Sequence, residues 1–164
     1  MNMEAQRLPS MLEVHMIERR TFGPFVHGVS RPFTRADLEV YGIDTFRQSY
    51  TVHVFFNDPK IENSKEPEKH PGYAGRFSVF GHPQCVGDDM HCHIPITARR
   101  FDDRPSHPLT PAFRRVIVTD ALRTAITKGR RITVTLVAST TANKNEIEGN
   151  YLLETSGLQL VTFE

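Results

Sequence analysis

Apolar and polar side chains alternate with a period of two along several stretches of the chain. This is the pattern of strands that present one face to a core. In the stretch 12–18, Leu12, Val14 and Met16 share a face. In 50–57, Val52, Val54 and Phe56 line one face and Thr51, His53 and Phe55 the other, so both faces are expected to be partly covered. The run Asn57-Asp58-Pro59 then stops the strand. A third strand is expected over 73–81, with Phe77 and Val79 set on opposite faces, and a short one over 115–118. The latter leads into the one good helix signal, over 119–128. Thr119 or Asp120 would cap it, Ala121, Leu122, Ala125 and Ile126 give its apolar side, and Gly129 ends it. The β-branched run 131–138 is strongly strand-forming. Residues 151–163 read as one bent strand or two short ones broken near Gly157.

Between these lie a loose tail (1–10), connecting structure with possible short strands (28–49), a charged exposed loop (60–72), a turn-rich segment (82–112) and a polar loop (139–149). Six or more strands with one short helix and no regular strand–helix alternation predict an all-β fold. The expected architecture is an antiparallel β-sandwich, jelly-roll or cupredoxin-like, with one short helix near 119–128. Residues 29–164 form the sandwich domain, and 1–28 an N-terminal segment that could add a strand. A chain of 164 residues can bury a sizeable core without metal or disulfide staples.

Charge narrows the function classes. Lys plus Arg number 20 and Asp plus Glu 19, a formal charge of +1, so nothing steers the chain toward a polyanion. The basic pairs Arg19-Arg20, Arg99-Arg100, Arg114-Arg115 and Arg130-Arg131 are scattered and lack an aromatic stacking ladder, so no nucleic-acid partner is expected. No apolar run is long enough for a membrane span. The polar start Met1-Asn2-Met3-Glu4 does not read as a secretion signal, which points to a cytoplasmic protein, with export alongside a partner left open. No phosphate-binding glycine loop, dinucleotide fingerprint, metalloprotease helix or nucleophile elbow occurs. Asp102-Asp103 lies on an irregular segment, where neighbouring carboxylates rarely face one substrate, and reads as solvated or salt-bridged.

Candidate chemistry concentrates in 81–93, where His82, Cys85, His91, Cys92 and His93 fall close together. Imidazole and thiolate suit copper or zinc. In an extended segment His91 and His93 point one way and Cys92 the other, and the spacing is not that of a paired C-x-x-C zinc site. Three readings stand. The segment is a structural loop, a weak copper site with these five residues as metal ligands, or a loop closed by a Cys85–Cys92 disulfide without metal. His53 is expected to be hydrogen-bonded and partly buried, and His107 to anchor a turn. His15, His27 and His70 join no convergent motif. Phe22 and Phe25, flanking Gly23-Pro24, could reach a partner surface.

Four stretches in order resemble the carboxy-terminal β-sandwich domain of the tyrosinase, polyphenol oxidase and haemocyanin (type-3 copper protein) family. Val29-Ser30-Arg31-Pro32 followed by Leu38-Glu39-Val40-Tyr41-Gly42-Ile43 is similar to that domain's lead-in. YTVHVFFND (50–58) and YAGRFSVFGH (73–82) resemble two of its strands, and RITVTLVA (131–138) with LQLVTF (158–163) its ending. The likeness runs over about 29–163, with a longer insert at 83–112 that holds both cysteines.

In that family the oxidase chemistry belongs to a separate helical domain that holds two copper ions with six histidines. None of the eight histidines here can be matched to those ligands. The resemblance therefore implies a module with no catalytic centre of its own. It would act as an accessory subunit or chaperone of a separately encoded type-3 copper oxidase, shielding its entrance or assisting copper loading. Parts of the family place a residue of this domain in the active-site mouth. Tyr41, Phe80 and the 81–93 loop are the positions available for that here. The residues alone leave open a possible homodimer, an independent cupredoxin-like protein carrying one copper ion, and a small enzyme built on His82, His93, Asp102 and His107.

Overall fold

The structure, a computed structural model, describes residues 11–22, 33–46, 48–62, 65–82, 101, 110–129, 131–143 and 153–164, with backbone only at 11–18, 21–22 and 141–143. Seven strands and one α-helix occur among them: β1 (Met11–Phe22), β2 (Arg35–Ile43), β3 (Tyr50–Phe56), β4 (Tyr73–Val79), β5 (Ala112–Ile117), α1 (Thr119–Lys128), β6 (Ile132–Asn143) and β7 (Gly157–Phe163). They form a four-stranded sheet, β1-β6-β3-β4, and a three-stranded sheet, β5-β2-β7. All five strand pairs are antiparallel. No helix among the described residues is long and apolar enough to cross a membrane.

The inner faces of the two sheets share one core, which makes the arrangement sandwich-like. Ala36, Leu38 and Val40 of β2 and Val116 of β5 meet Val52, Val54 and Phe56 of β3, Phe77 and Val79 of β4, and Val134, Leu136 and Ala138 of β6. Leu122 and Ala125 of α1 join the same cluster. A smaller cluster covers the outer side of β3, where Phe55 packs with Val137, Ile61 and partly buried Tyr73. Both faces of β3 are thus covered, as its two apolar rows predict.

Several expectations are corrected. The segment 28–49, read as connecting structure with possible short strands, contains a full nine-residue strand, β2, central to the smaller sheet, which alternates core residues with Asp37, Glu39 and Tyr41. β6 continues to Asn143, into the expected polar loop, because β1 pairs with it along its whole length. Phe77 and Val79 face the same core, 8% and 1% exposed, as residues two apart on a pleat must. Neither Thr119 nor Asp120 caps α1 with its side chain, since Val118 holds the N-cap position. Thr119 Oγ1 instead accepts from the Ala36 N–H at 3.0 Å, which ties the helix start to β2. Gly129 does end the helix, donating its N–H to the Ile126 carbonyl.

The irregularity near the end of β2, between Val40 and Ile43, contains one glycine with positive φ. Gly42 has φ +62°, and a Cβ there would lie 2.2 Å from Ser156 Oγ. The close approach brings 154–156 alongside β2, where the Ser156 N–H donates to the Tyr41 carbonyl and the Asp44 N–H to that of Glu154. β7 then runs unbroken from Gly157.

Candidate functional site

Of the five proposed metal ligands, Cys85, His91, Cys92 and His93 lie outside the described residues, as do Asp102, His107, Phe25 and the side chain of Phe22. His82 is described. It is half-buried at the end of β4, its N–H donates to the Thr45 carbonyl at 2.8 Å, and its ring stands edge-on to Phe80. Among the described residues no group of three His, Cys, Asp or Glu side chains is placed to hold a metal ion. His53 is half-buried on the outer side of β3, opposite Arg76 and Val137. His70, which no motif singled out, fastens the 57–72 loop. Its Nδ1 accepts from the Gly72 N–H, its Nε2 lies 3.1 Å from Asp58 Oδ2, and its ring meets Phe55 edge-on.

The most developed constellation contains neither a metal-ligand cluster nor a nucleophile and carries no known motif. It lies on the outer face of the three-stranded sheet. Alternation along β2 sends Asp37, Glu39 and Tyr41 outward while Ala36, Leu38 and Val40 enter the core. Because β2 is central, these outward side chains are flanked on both sides. Asp37 sits between Ile117 and Val161, and Glu39 between Arg115 and Gln159. Asp37 is 0% exposed and Glu39 7%, which requires compensating partners for both carboxylates.

Two arginines and a tyrosine supply those partners. Arg115 donates from Nε and Nη2 to Glu39 Oε1, at 3.1 and 2.7 Å. The Tyr41 hydroxyl donates to Glu39 Oε2. Arg35 Nε donates to Asp37 Oδ1 at 2.7 Å, while Asp37 Oδ2 has Arg115 Nε at 3.5 Å as its ionic neighbour. The Tyr41 hydroxyl, and after it Arg115, hold the Glu39 carboxyl below its ordinary range against the opposing effect of burial. The same hydrogen bond raises the Tyr41 phenol, and Asp37 raises Arg35. The set pairs two acidic side chains with two guanidiniums, so their formal charges cancel.

Apolar side chains frame this set and remain in water. Tyr41, Phe113, Ile117 and Phe163 are 37%, 43%, 62% and 40% exposed. The Tyr41 and Phe113 rings are 5.0 Å apart, and Arg115 and Arg35 lie over the rings of Phe113 and Phe163 at 5.7 and 5.8 Å. Both guanidiniums thus stack on exposed rings while holding the carboxylates, and Asp37 Oδ2 is left without a hydrogen bond, with Arg115 at 3.5 Å as its ionic neighbour. The signal in the sequence was the alternation Ala-Asp-Leu-Glu-Val-Tyr over 36–41, together with Phe-Arg-Arg-Val-Ile over 113–117.

No family model matches the chain, and no curated protein matches it significantly. Among solved structures it is similar to a latent aurone synthase (polyphenol oxidase) from natural source, at 17% identity and TM-score 0.48. A recombinantly expressed latent aurone synthase (polyphenol oxidase) aligns at 17% identity and TM-score 0.47. Each alignment covers 96% of this chain and 26% of the other, so the chain spans about a quarter of the length of the proteins it matches. The similarity to this polyphenol oxidase fold is thus a distant one.

Proposed function

We propose that this chain is a non-catalytic docking module that binds a type-3 copper oxidase catalytic chain through the outer face of the β5-β2-β7 sheet. The observation that carries the reading is that face. Four large apolar side chains stand in water around a carboxylate–guanidinium set whose charges are already matched. A partner covering it would bury rings without stranding a charge, which is what makes a desolvated interface centre favourable. The ordered resemblance of 29–32 with 38–43, of 50–58, of 73–82 and of 131–138 with 158–163 to the tail domain of that family supports the choice of partner. The module would hold the oxidase fold or shield its entrance. Copper hand-off through His82, Cys85, His91, Cys92 and His93 is a further part of the proposal, and soft-ligand density in that segment supports it.

The test is affinity recovery from the source cells, followed by metal analysis of what co-purifies. Native protein should retain a chain carrying copper ions in pairs. A Phe113→Asp/Ile117→Asp variant should retain about tenfold less or lower still. Both positions are exposed, so the variant should keep the native melting temperature. Undiminished recovery by the variant, or a copper-free partner, would refute the reading.

A further inference from the structure

The seam where β4 of the four-stranded sheet meets β5 of the three-stranded one carries a second surface of different chemistry. An open groove of about 600 Å³ lies there, within the size range of small-ligand sites. Its floor is a row of hydroxyls. Thr51 of β3 is the cross-strand partner of Ser78 on β4 and of Ser139 on β6, and Thr51 Oγ1 lies 3.3 Å from Ser78 Oγ. Ser49 and Thr140 extend the row, linked by the Thr140 hydroxyl donating to the Ser49 carbonyl at 2.8 Å. Arg114 forms one wall. Its Nε donates to the Ser78 carbonyl at 3.2 Å and its Nη1 to its neighbour's carbonyl, Phe113 O, at 2.8 Å, and neither bond uses Nη2. Among the described residues, no carboxylate lines the groove. At its mouth Phe80 is 76% exposed, the ring steadied edge-on by His82.

We infer that this groove binds an acidic saccharide. Three features select that class together. Hydroxyls that both donate and accept match the ring hydroxyls of a sugar. A flat, exposed aromatic ring offers a platform to the apolar C–H face of a pyranose. A guanidinium held by backbone carbonyls, with no acidic residue in the lining, recognises a carboxylate or sulfate on the ligand. A bare inorganic anion would use Arg114 and leave the hydroxyl row and Phe80 idle. A neutral sugar would leave Arg114 without a counter-charge. Its hydroxyls stand on the four-stranded sheet and Arg114 reaches them from β5, alternating with Phe113 and Arg115 of the docking face, so the inference uses none of the rings of that face and does not rest on the proposed partnership.

The experiment titrates the full chain with a trimer of galacturonic acid, with a neutral cellotriose and with inorganic phosphate, read by NMR chemical shifts and calorimetry. The acidic trimer should bind and shift the amides of Thr51, Ser78 and Ser139. Binding should weaken about tenfold in Arg114→Gln and in Phe80→Ala. The single Ile117→Asp variant, which leaves Phe113 and its contact with Arg114 in place, should bind it as the native protein does, which separates this site from the docking face. Thr51→Val, a surface change on an intact strand, provides the test if Arg114→Gln loses its native melting transition. No binding of the acidic trimer, equal binding of the neutral trimer, or the same shifts with phosphate alone would overturn the inference.

Discussion

Glu39 and Tyr41 show how two side chains define a face. The phenol hydroxyl and Arg115 both favour the ionised carboxylate, so Glu39 titrates lower in the folded chain than its ordinary value of 4.5. A depressed folded value gives stability that is complete above the unfolded value and is lost as pH falls through the folded one. The melting temperature of the native protein should therefore drop more steeply below about pH 4.5 than that of Glu39→Gln, measured by calorimetry from pH 7 to 3. Gly42 sets a different constraint. Its positive φ, and the overlap that an added Cβ would make with the Ser156 side chain, disfavour any other residue, so Gly42→Ala should cost about 1–3 kcal/mol in urea unfolding. Individual core residues such as Val52, Val54 and Phe56 were legible from alternation. The ion set was not, because spacing shows which side chains share a face but not that flanking strands will bury a charge and pair it.

At the scale of elements, the strands rich in β-branched and aromatic residues were readable, and β2 was not. Its acidic residues resemble a solvated connection until one sees that a central strand in a three-stranded sheet hides both of its faces. The helix was placed correctly by its apolar face, and its start was misread. Thr119 spends its hydroxyl on β2, accepting the Ala36 N–H, and so acts as a clamp between elements. Thr119→Val keeps the shape and removes the acceptor, leaving that N–H without it. A loss of about 1–3 kcal/mol is expected, with Thr119→Ser close to native, as read from paired denaturation curves. The end of β6 was lost in a different way. Its last residues, Ser139-Thr140-Thr141-Ala142-Asn143, are polar and loop-like, and they are strand only because β1 lies along them.

The whole molecule joins two sheets through one core and gives each outer face its own character. One presents rings around a neutral ionic set, the other hydroxyls beside an arginine. Neither use needs the core to change, so docking and ligand binding should be separable by mutation. Removing core volume should instead abolish both together. Leu136→Ala, at a fully buried position, should cost about 2–5 kcal/mol and lower recovery of the partner and affinity for the acidic trimer in parallel. The sandwich itself could be anticipated from strand count and turn spacing. Which strands would neighbour one another could not, since that is decided by contacts between segments far apart in the chain.

The pairing of β1 with β6 has a consequence for how the protein is made. Met11 meets Asn143 and Phe22 meets Ile132, so during synthesis β1 must wait for more than a hundred further residues before its partner exists. Such long-range closure is slow. Until it happens the early strand offers bare amides to any neighbouring chain. Nascent chains that stall before residue 132 should consequently associate with each other or with holdase chaperones, and completing β6 is the event that releases them.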